Sequence, residues 1–479
     1  MKNKGLIVGR KRELQQLQMI VESPKSEFLA IYGRRRVGKT FLIREFFEYK
    51  FDFQISGLAN ANTSQQLFNF HVSLSRQHSV SYEHAPNNWL EAFQRLIDYL
   101  EGIEKDTKKI IFFDEMPWLD TKKSDFVMGL EHFWNSWASN RKDILLIACG
   151  SAAAWMINEL INNTGGLHNR VTQKIKINPF CLQETEELLE RKNGVFDRYQ
   201  IVQLYMALGG IPYYLDAIRS DLSATQNIQN LFFEQSSLLR NEFSNLYRSL
   251  FRKHKIYETI VETLSTKTKG LQRGEIIKLS KVASGGTLTK VLNDLEESGF
   301  ITSYISLDGK AKNTIFRLSD FYTSFYFRFI KDNKYRGDNV WINLLDNPLH
   351  RTWQGFTFEQ ICLSHTYQIK KALGISGIQS SDSSWKGSYG EKAAQIDLLI
   401  DRRDQVINIC EAKFSMSKFI IDKEYSEKLR EKVNIFRDAT QTKKSVFLTM
   451  ITTYGVEKNT YSAALVQNEI TMDDLFEGK

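Results

Sequence analysis

Glu27-Phe28-Leu29-Ala30-Ile31-Tyr32 runs directly into Gly33-Arg34-Arg35-Arg36-Val37-Gly38-Lys39-Thr40, which opens onto Phe41-Leu42-Ile43-Arg44-Glu45-Phe46. An apolar run, a loop of the form GxxxxGK[ST] and an amphipathic pattern predict a buried strand, a phosphate loop and a helix, in that order. The glycines let the backbone wrap around a β-phosphate, and the free N–H groups at the helix start supply a positive dipole end. Lys39 is placed to reach the β- and γ-phosphates, and Thr40 to offer its hydroxyl to Mg²⁺. The stretch Gly33, Arg34, Arg35, Arg36, Val37, Gly38, Lys39, Thr40 and Phe41 is therefore the candidate nucleotide site, with ATP and Mg²⁺ as the expected ligands.

Two further apolar runs, KIIFFDE (109–115) and DILLIACG (143–150), look like strands buried on both faces of a parallel sheet. Between them lie helical patterns such as WLEAFQRLIDYLEGI (89–103), so the expected fold class is α/β. Asp114, ending its strand, suits a water-mediated Mg²⁺ ligand, and Glu115 suits the base that orients an attacking water. Ser151 follows the third strand, either to sense the γ-phosphate or to cap a helix.

At 479 residues the chain has room for several cores, and 42% hydrophobic with 25% charged residues is ordinary globular composition. No apolar run reaches the eighteen or so residues that a membrane helix needs. The basic N-terminus lacks the apolar core of a signal peptide. Cys149, Cys181, Cys362 and Cys410 have no CxxC spacing, which predicts reduced thiols in the cytoplasm and no zinc site or disulfide frame. A net charge of +8 fits a nucleic-acid partner without requiring one.

Beyond residue 180 the strand signals give way to helical ones. The expected organisation is an ATPase core (1–180), a helical lid (181–255), a winged-helix module (256–334) and a C-terminal domain (335–479). In the third segment IYETIVETLS, RGEIIKLSK and TLTKVLNDLEESG read as helices, and ITSYISL and TIFRLS as a strand pair. The last is expected to hold a helix near 355–372, a hairpin at 395–414, a charged helix at 422–438 and the strand KSVFLTMIT.

The set IVGRKREL, FLAIYGRRRVGKTFLIREF, IIFFDEMPWL, GGIPYYL and a C-terminal ID…EAKF resembles the archaeal and bacterial AAA+ ATPase family related to the STAND ATPases. That family carries a C-terminal domain of the DUF234 type, similar to PD-(D/E)XK nucleases. The resemblance implies that Gly9 and Arg10, with Glu13, pack near the adenine. Gly209-Gly210-Ile211-Pro212 then closes over the nucleotide, or is simply a turn between helices. Arg170 falls where the family often has an arginine, to stabilise γ-phosphate charge in cis or from a neighbouring subunit, or as a structural base.

The hairpin QIDLLI–DRRDQ–VINICEAKF puts Glu411 and Lys413 on one face, with Asp397 across from Cys410 and Glu411. Two carboxylates and a lysine so placed can bind Mg²⁺ or Mn²⁺ and hold an attacking water near Lys413. This resembles the restriction-endonuclease-like core, with Glu359 as the additional acid of many such sites. A buried ion-pair cluster without metal is the alternative. In the middle segment Ser284, Thr287, Thr289 and Lys290 are the candidates for the major groove.

The expected protein is thus a cytoplasmic, Mg²⁺-dependent ATP-hydrolysing switch with a nuclease-like domain acting on nucleic acid, DNA before RNA. The alternative is an ATP-regulated DNA- or protein-binding module whose nuclease-like domain is inactive. A homo-oligomer or a partner protein fits either form, and no membrane association is expected.

Overall fold

A computed structural model describes residues 6–77, 82–251, 253–304, 314–332 and 339–478. The chain divides into two compact units. One comprises Met1–Pro179, Leu246–His254 and Asn293–Gly299; the other comprises Phe180–Asn245, Lys255–Leu292 and Phe300–Lys479.

The first unit is an α/β layer. Its elements are α1 (Lys11–Glu22), β1 (Glu27–Tyr32), α2 (Lys39–Phe46), β2 (Phe53–Ser56), α3 (Thr63–Gln77), α4 (Trp89–Glu101), β3 (Lys109–Asp114), α5 (Phe126–His132), β4 (Ile144–Gly150), the single turn α6 (Ala153–Trp155) and β5 (Gln173–Lys176). The five strands are all parallel, in the order β2-β3-β4-β1-β5. Every residue of β4 is buried, as its unbroken apolar run predicts for a strand covered on both faces. Rings of Phe28, Phe53, Phe70, Trp89, Phe93, Phe113 and Phe126 pack in its core among aliphatic side chains. Each fully buried side chain contributes about 2–3 kcal/mol. Helix α4 begins at Asn88, whose side chain accepts from the Glu91 N–H, and buries Trp89, Phe93, Leu96 and Leu100 on one stripe. The strand order matters for the site: β4 lies between β1 and β3, so the phosphate loop and Asp114 flank its C-terminal end.

The 181–255 stretch is helical, as expected: α7 (Leu182–Arg191), α8 (Arg198–Leu208), α9 (Pro212–Asp216), α10 (Ala224–Phe232) and α11 (Glu242–Leu250). Then come α12 (His254–Ser265), β6 (Leu271–Gln272), α13 (Arg273–Ser280), α14 (Gly286–Glu297), β7 (Ile301–Tyr304) and β8 (Ile315–Leu318). Strands β6, β8 and β7 form a small antiparallel sheet in that order. The end of the expected strand 301–307 lies outside the described residues.

The remaining elements are α15 (Phe321–Phe325), α16 (Val340–Leu344), α17 (Pro348–Ser364), α18 (Thr366–Ala372), β9 (Ser380–Tyr389), β10 (Lys392–Arg402), β11 (Val406–Lys413), α19 (Lys423–Thr440), β12 (Ser445–Thr452), α20 (Thr460–Leu465) and β13 (Asn468–Thr471). The single helix expected near 355–372 is two. The break falls at His365, whose Nδ1 lies 2.8 Å from the Ile361 carbonyl and whose Nε2 accepts from the Leu182 N–H. The mixed sheet runs β13-β12-β11-β10-β9, antiparallel from β9 to β11 and parallel from β11 to β13. Trp385, Leu399, Ile409, Phe436 and Met450 are among its core residues. All four cysteines are free. Among the described residues no helix is long and apolar enough to cross a membrane.

Candidate nucleotide site and C-terminal acid cluster

The phosphate loop leaves β1 at Gly33, where φ is 144° and the Ile177 carbonyl oxygen presses where a Cβ would be. It enters α2 through Gly38, at φ 87°. Lys39 is buried, and its Nζ donates to the carbonyls of Gly33 at 3.0 Å and Arg34 at 2.8 Å, so the loop is closed on its own lysine. Burial pulls the Lys39 ammonium down from its ordinary range, with Cys149, Glu115 and Asp114 opposing the shift. Arg34 is buried beneath the loop, Arg35 and Arg36 are partly exposed, Val37 is buried, and Phe41 stands 47% exposed at the start of α2. Arg10, in the left-handed region at φ 53° just after Gly9, is buried and donates from Nη2 to the Val37 carbonyl at 3.1 Å. It therefore braces the loop and is no surface base.

The Thr40 hydroxyl donates to Asp114 Oδ1 at 2.9 Å. Arg44 Nη2 lies 3.8 Å from Oδ2 of the same carboxylate. Burial raises the Asp114 acid, against the Thr40 hydrogen bond that favours its charged form. A hydroxyl and a carboxylate held together at a helix start, beside a loop of N–H groups, form a donor set that fits Mg²⁺. Glu115 adopts φ 45°, unusual for a side chain with a Cβ. The Ser151 hydroxyl donates to Glu115 Oε1, and the Ser151 N–H donates to Oε2 at 3.2 Å. Ser151 is thus not a helix cap: α6 is preceded by Ala152, without a side-chain cap, and the hydroxyl serves Glu115 instead.

Arg170 is exposed. Gly209–Pro212 forms the turn from α8 to α9, with Gly209 at φ 58° and Pro212 in the first helical turn; it belongs to the other unit. Ser284, Thr287, Thr289 and Lys290 are exposed, and the Thr289 hydroxyl accepts from Arg273 at 3.0 Å.

In the C-terminal sheet, Leu398 pairs with Cys410, which brings Asp397 beside Glu411 as the hairpin pattern requires. The register to β9 slips between Ile396 and Leu399, so Asp397 lies in a bulge that redirects the strand locally. Asp397 Oδ1 accepts from Gln395 Nε2 at 3.2 Å and lies 3.9 Å from Arg317 Nη1. Glu411 accepts from the Tyr425 hydroxyl at 2.8 Å and from Lys432 Nζ at 2.6 Å, with Lys413 Nζ 3.1 Å away. Burial pushes the Glu411 carboxyl up, but Lys432 and Lys413 outweigh it and hold it at about 2. Glu359, on α17, is pushed up to about 7 by burial and then by Asp397 beside it. Sequence reasoning missed Arg317, Tyr425 and Lys432.

Both Glu411 oxygens are already engaged by protein donors. Among the described residues no group of three or more His, Cys, Asp or Glu side chains is arranged to hold a metal ion. As it stands, Glu411 is paired with Lys432 and Lys413 and Asp397 lies near Arg317, while Glu359 Oε2 is buried without a hydrogen-bond partner among the described residues.

Residues 7–218 match the model of an ATPase domain found predominantly in Archaea. The N-terminal part of this chain is a P-loop ATPase domain. An uncharacterized protein of Methanocaldococcus jannaschii is 26% identical over 369 residues, spanning 76% of this chain and 78% of that one. An uncharacterized ATP-binding protein of the same organism is 47% identical over 45 residues, 9% of this chain and 76% of that one. The solved structure of a Walker-type ATPase of Pyrococcus abyssi aligns with a TM-score of 0.51 and 17% identity, covering 68% of this chain and 97% of that one. That last likeness is one of fold.

Proposed function

We propose that this protein is a cytoplasmic, ATP-binding and ATP-hydrolysing switch whose C-terminal unit is nuclease-like and acts on nucleic acid. The observation that carries the ATPase reading is the Thr40–Asp114 hydrogen bond beside the buried Lys39. In this reading Lys39 exchanges the loop carbonyls for phosphate oxygens, and the N–H groups of Arg34 to Thr40 cradle the β-phosphate. Thr40 and, through water, Asp114 would hold Mg²⁺, which supplies neutralisation of phosphate charge. Glu115, oriented by Ser151, takes up the proton of the attacking water. Arg10 fixes the loop on the adenine side, Phe41 flanks the nucleotide, and Arg170 and the Gly209–Pro212 turn act when the lid closes. An arginine supplied from a second copy is the role in which a homo-oligomer would matter.

The order α17, β9, β10, β11, α19, β12 supports the nuclease-like reading of the C-terminal sheet. The saturated Glu411 favours the form that binds nucleic acid without cutting it, with the small β6-β8-β7 sheet and α14 as a winged helix. DNA is the preferred partner, and a partner protein the rival.

The test is Lys39→Ala in the full chain. Nucleotide binding by calorimetry and phosphate release should both vanish while the far-UV circular dichroism stays native. Retained ATP turnover would sink the ATPase reading. Plasmid incubated with Mg²⁺ or Mn²⁺ should stay intact; nicking that disappears in Lys413→Ala would show that the cluster rearranges and cuts.

A further inference from the structure

Within the second unit, a cavity of about 640 Å³ opens beside α12, β8 and α17. A second, of about 520 Å³, opens between β6 and the β9–β10 hairpin. They share Lys267 and Lys269, so the two form one groove. Arg317, Arg328 and Lys331 add positive charge to the larger part and Lys386 to the smaller. The carboxylates along it are already matched in part: Glu275 lies 3.4 Å from Lys267, and Glu262 pairs with Lys331. These pairs are exposed and contribute little to folding.

The floor carries the more specific signal. Arg317 is only 5% exposed and Trp353 only 6%, and both line the larger cavity. Among the described residues, Arg317 Nε and Trp353 Nε1 find no hydrogen-bond acceptor. A buried donor left without an acceptor costs about 1–3 kcal/mol, more when charged. Both nitrogens are themselves closed to solvent, so an oxyanion supplies their acceptors only after the side chains over them shift. Phe356, partly exposed in the same wall, offers a ring, whereas Phe327 carries the Lys331 ammonium over its face at 5.5 Å. Arg317 also faces Asp397, which joins the groove to the acid cluster.

We infer that this groove binds a single strand of nucleic acid. Phosphates meet Lys267 and Lys269, one phosphodiester reaches Arg317 Nε and Trp353 Nε1 once the side chains covering them shift, and a base lies against the Phe356 ring. A free phosphate could satisfy the two floor donors, but it would leave the rest of the groove unused. The inference rests on the reading that this unit acts on nucleic acid, and it places the strand on a surface other than α14.

The experiment is fluorescence anisotropy of a labelled single-stranded oligonucleotide with the full chain, in chelator, across a salt series. Wild type should bind with an affinity that falls as salt rises. Lys267→Gln combined with Lys269→Gln should lower the log–log salt slope by roughly 1.4, at about 0.7 for each phosphate no longer neutralised. Trp353→Phe keeps a ring but removes the N–H, and should weaken binding several-fold. ATP turnover should be unchanged in both variants, and a native denaturant melt followed through the tryptophans should report that the second unit folds. Unchanged affinity and slope in both would overturn the inference, as would displacement of the strand by equimolar inorganic phosphate. Binding that persists while no plasmid is ever nicked removes cutting and leaves the groove standing. Nicking that is unaltered in the double lysine variant removes the groove and leaves cutting standing.

Discussion

Ser151 holds Glu115 by both carboxylate oxygens, the hydroxyl to Oε1 and the backbone N–H to Oε2 at 3.2 Å. The pairing follows from strand order, since Ser151 immediately follows β4, which lies next to β3. It fixes an acid whose backbone already sits in a sparsely populated region, at φ 45°. Ser151→Ala removes the hydroxyl's share of that grip. A hydrogen bond to a charged group is worth about 1.5–3 kcal/mol, so kcat should fall roughly tenfold to a hundredfold if the bond persists in the transition state. KM for ATP should stay within about twofold, because a positioning residue acts on the chemical step. Steady-state phosphate release reads both parameters. A raised KM with kcat intact would mean that Ser151 grips the nucleotide itself.

Gly33→Ala should separate the two roles of glycine in the loop. At Gly33 a Cβ meets the Ile177 carbonyl, whose residue donates its own N–H to Tyr32 at 2.8 Å. The added methyl must therefore move β1 and the strand end beside it apart. At Gly38 nothing lies within 4 Å of a Cβ, and only the φ of 87° resists substitution. Gly38→Ala should cost about 1–2 kcal/mol of stability, and Gly33→Ala clearly more, with nucleotide affinity lost along with it. Denaturant melts and calorimetric titration of both variants check the order; equal losses would show that the clash at Gly33 relaxes freely.

The phosphate loop was legible because its chemistry is contiguous: eight consecutive residues specify strand exit, wrap and helix start. Asp114 and Glu115 were legible as the end of a wholly apolar run. Strand β2, FQIS, and strand β5, QKIK, were not, because four residues at a sheet edge carry too little apolar pattern. Strand β9, SSDSSWKGSY, reads as a loop by composition and is ordered by its pairing with β10. At the C-terminal cluster the hairpin register was readable, but the bulge at Asp397 was not. Arg317 lies eighty positions earlier on a different strand, so no local spacing announces it. Tyr425 and Lys432 had a signal: they are seven apart, two turns on one face of a helix that the sequence does predict.

Glu359 makes the acid cluster measurable by pH. Its folded-state pKa, about 7, stands above the ordinary 4.5 because burial and the nearby Asp397 disfavour its charge. Between those two values the folded chain holds a proton that the unfolded chain has released. Stability therefore falls as pH rises through this window and levels off above it. Glu359→Gln keeps the shape and hydrogen-bonding capacity but cannot ionise. The variant should be more stable than wild type at pH 8, with the gain shrinking toward pH 5, where wild-type Glu359 is mostly protonated. Glu411 works in the opposite sense: held at about 2, it stabilises above the ordinary 4.5 and loses that contribution only as pH falls toward 2. His350, whose charged form burial disfavours, also titrates between pH 5 and 8, so it is the difference between wild type and Glu359→Gln across that series that isolates Glu359. Chemical denaturation of the full chain, followed through its tryptophans, gives the comparison. A gain that is flat across the series would show that Glu359 is paired and charged in the folded state, with its proton lost at the ordinary value.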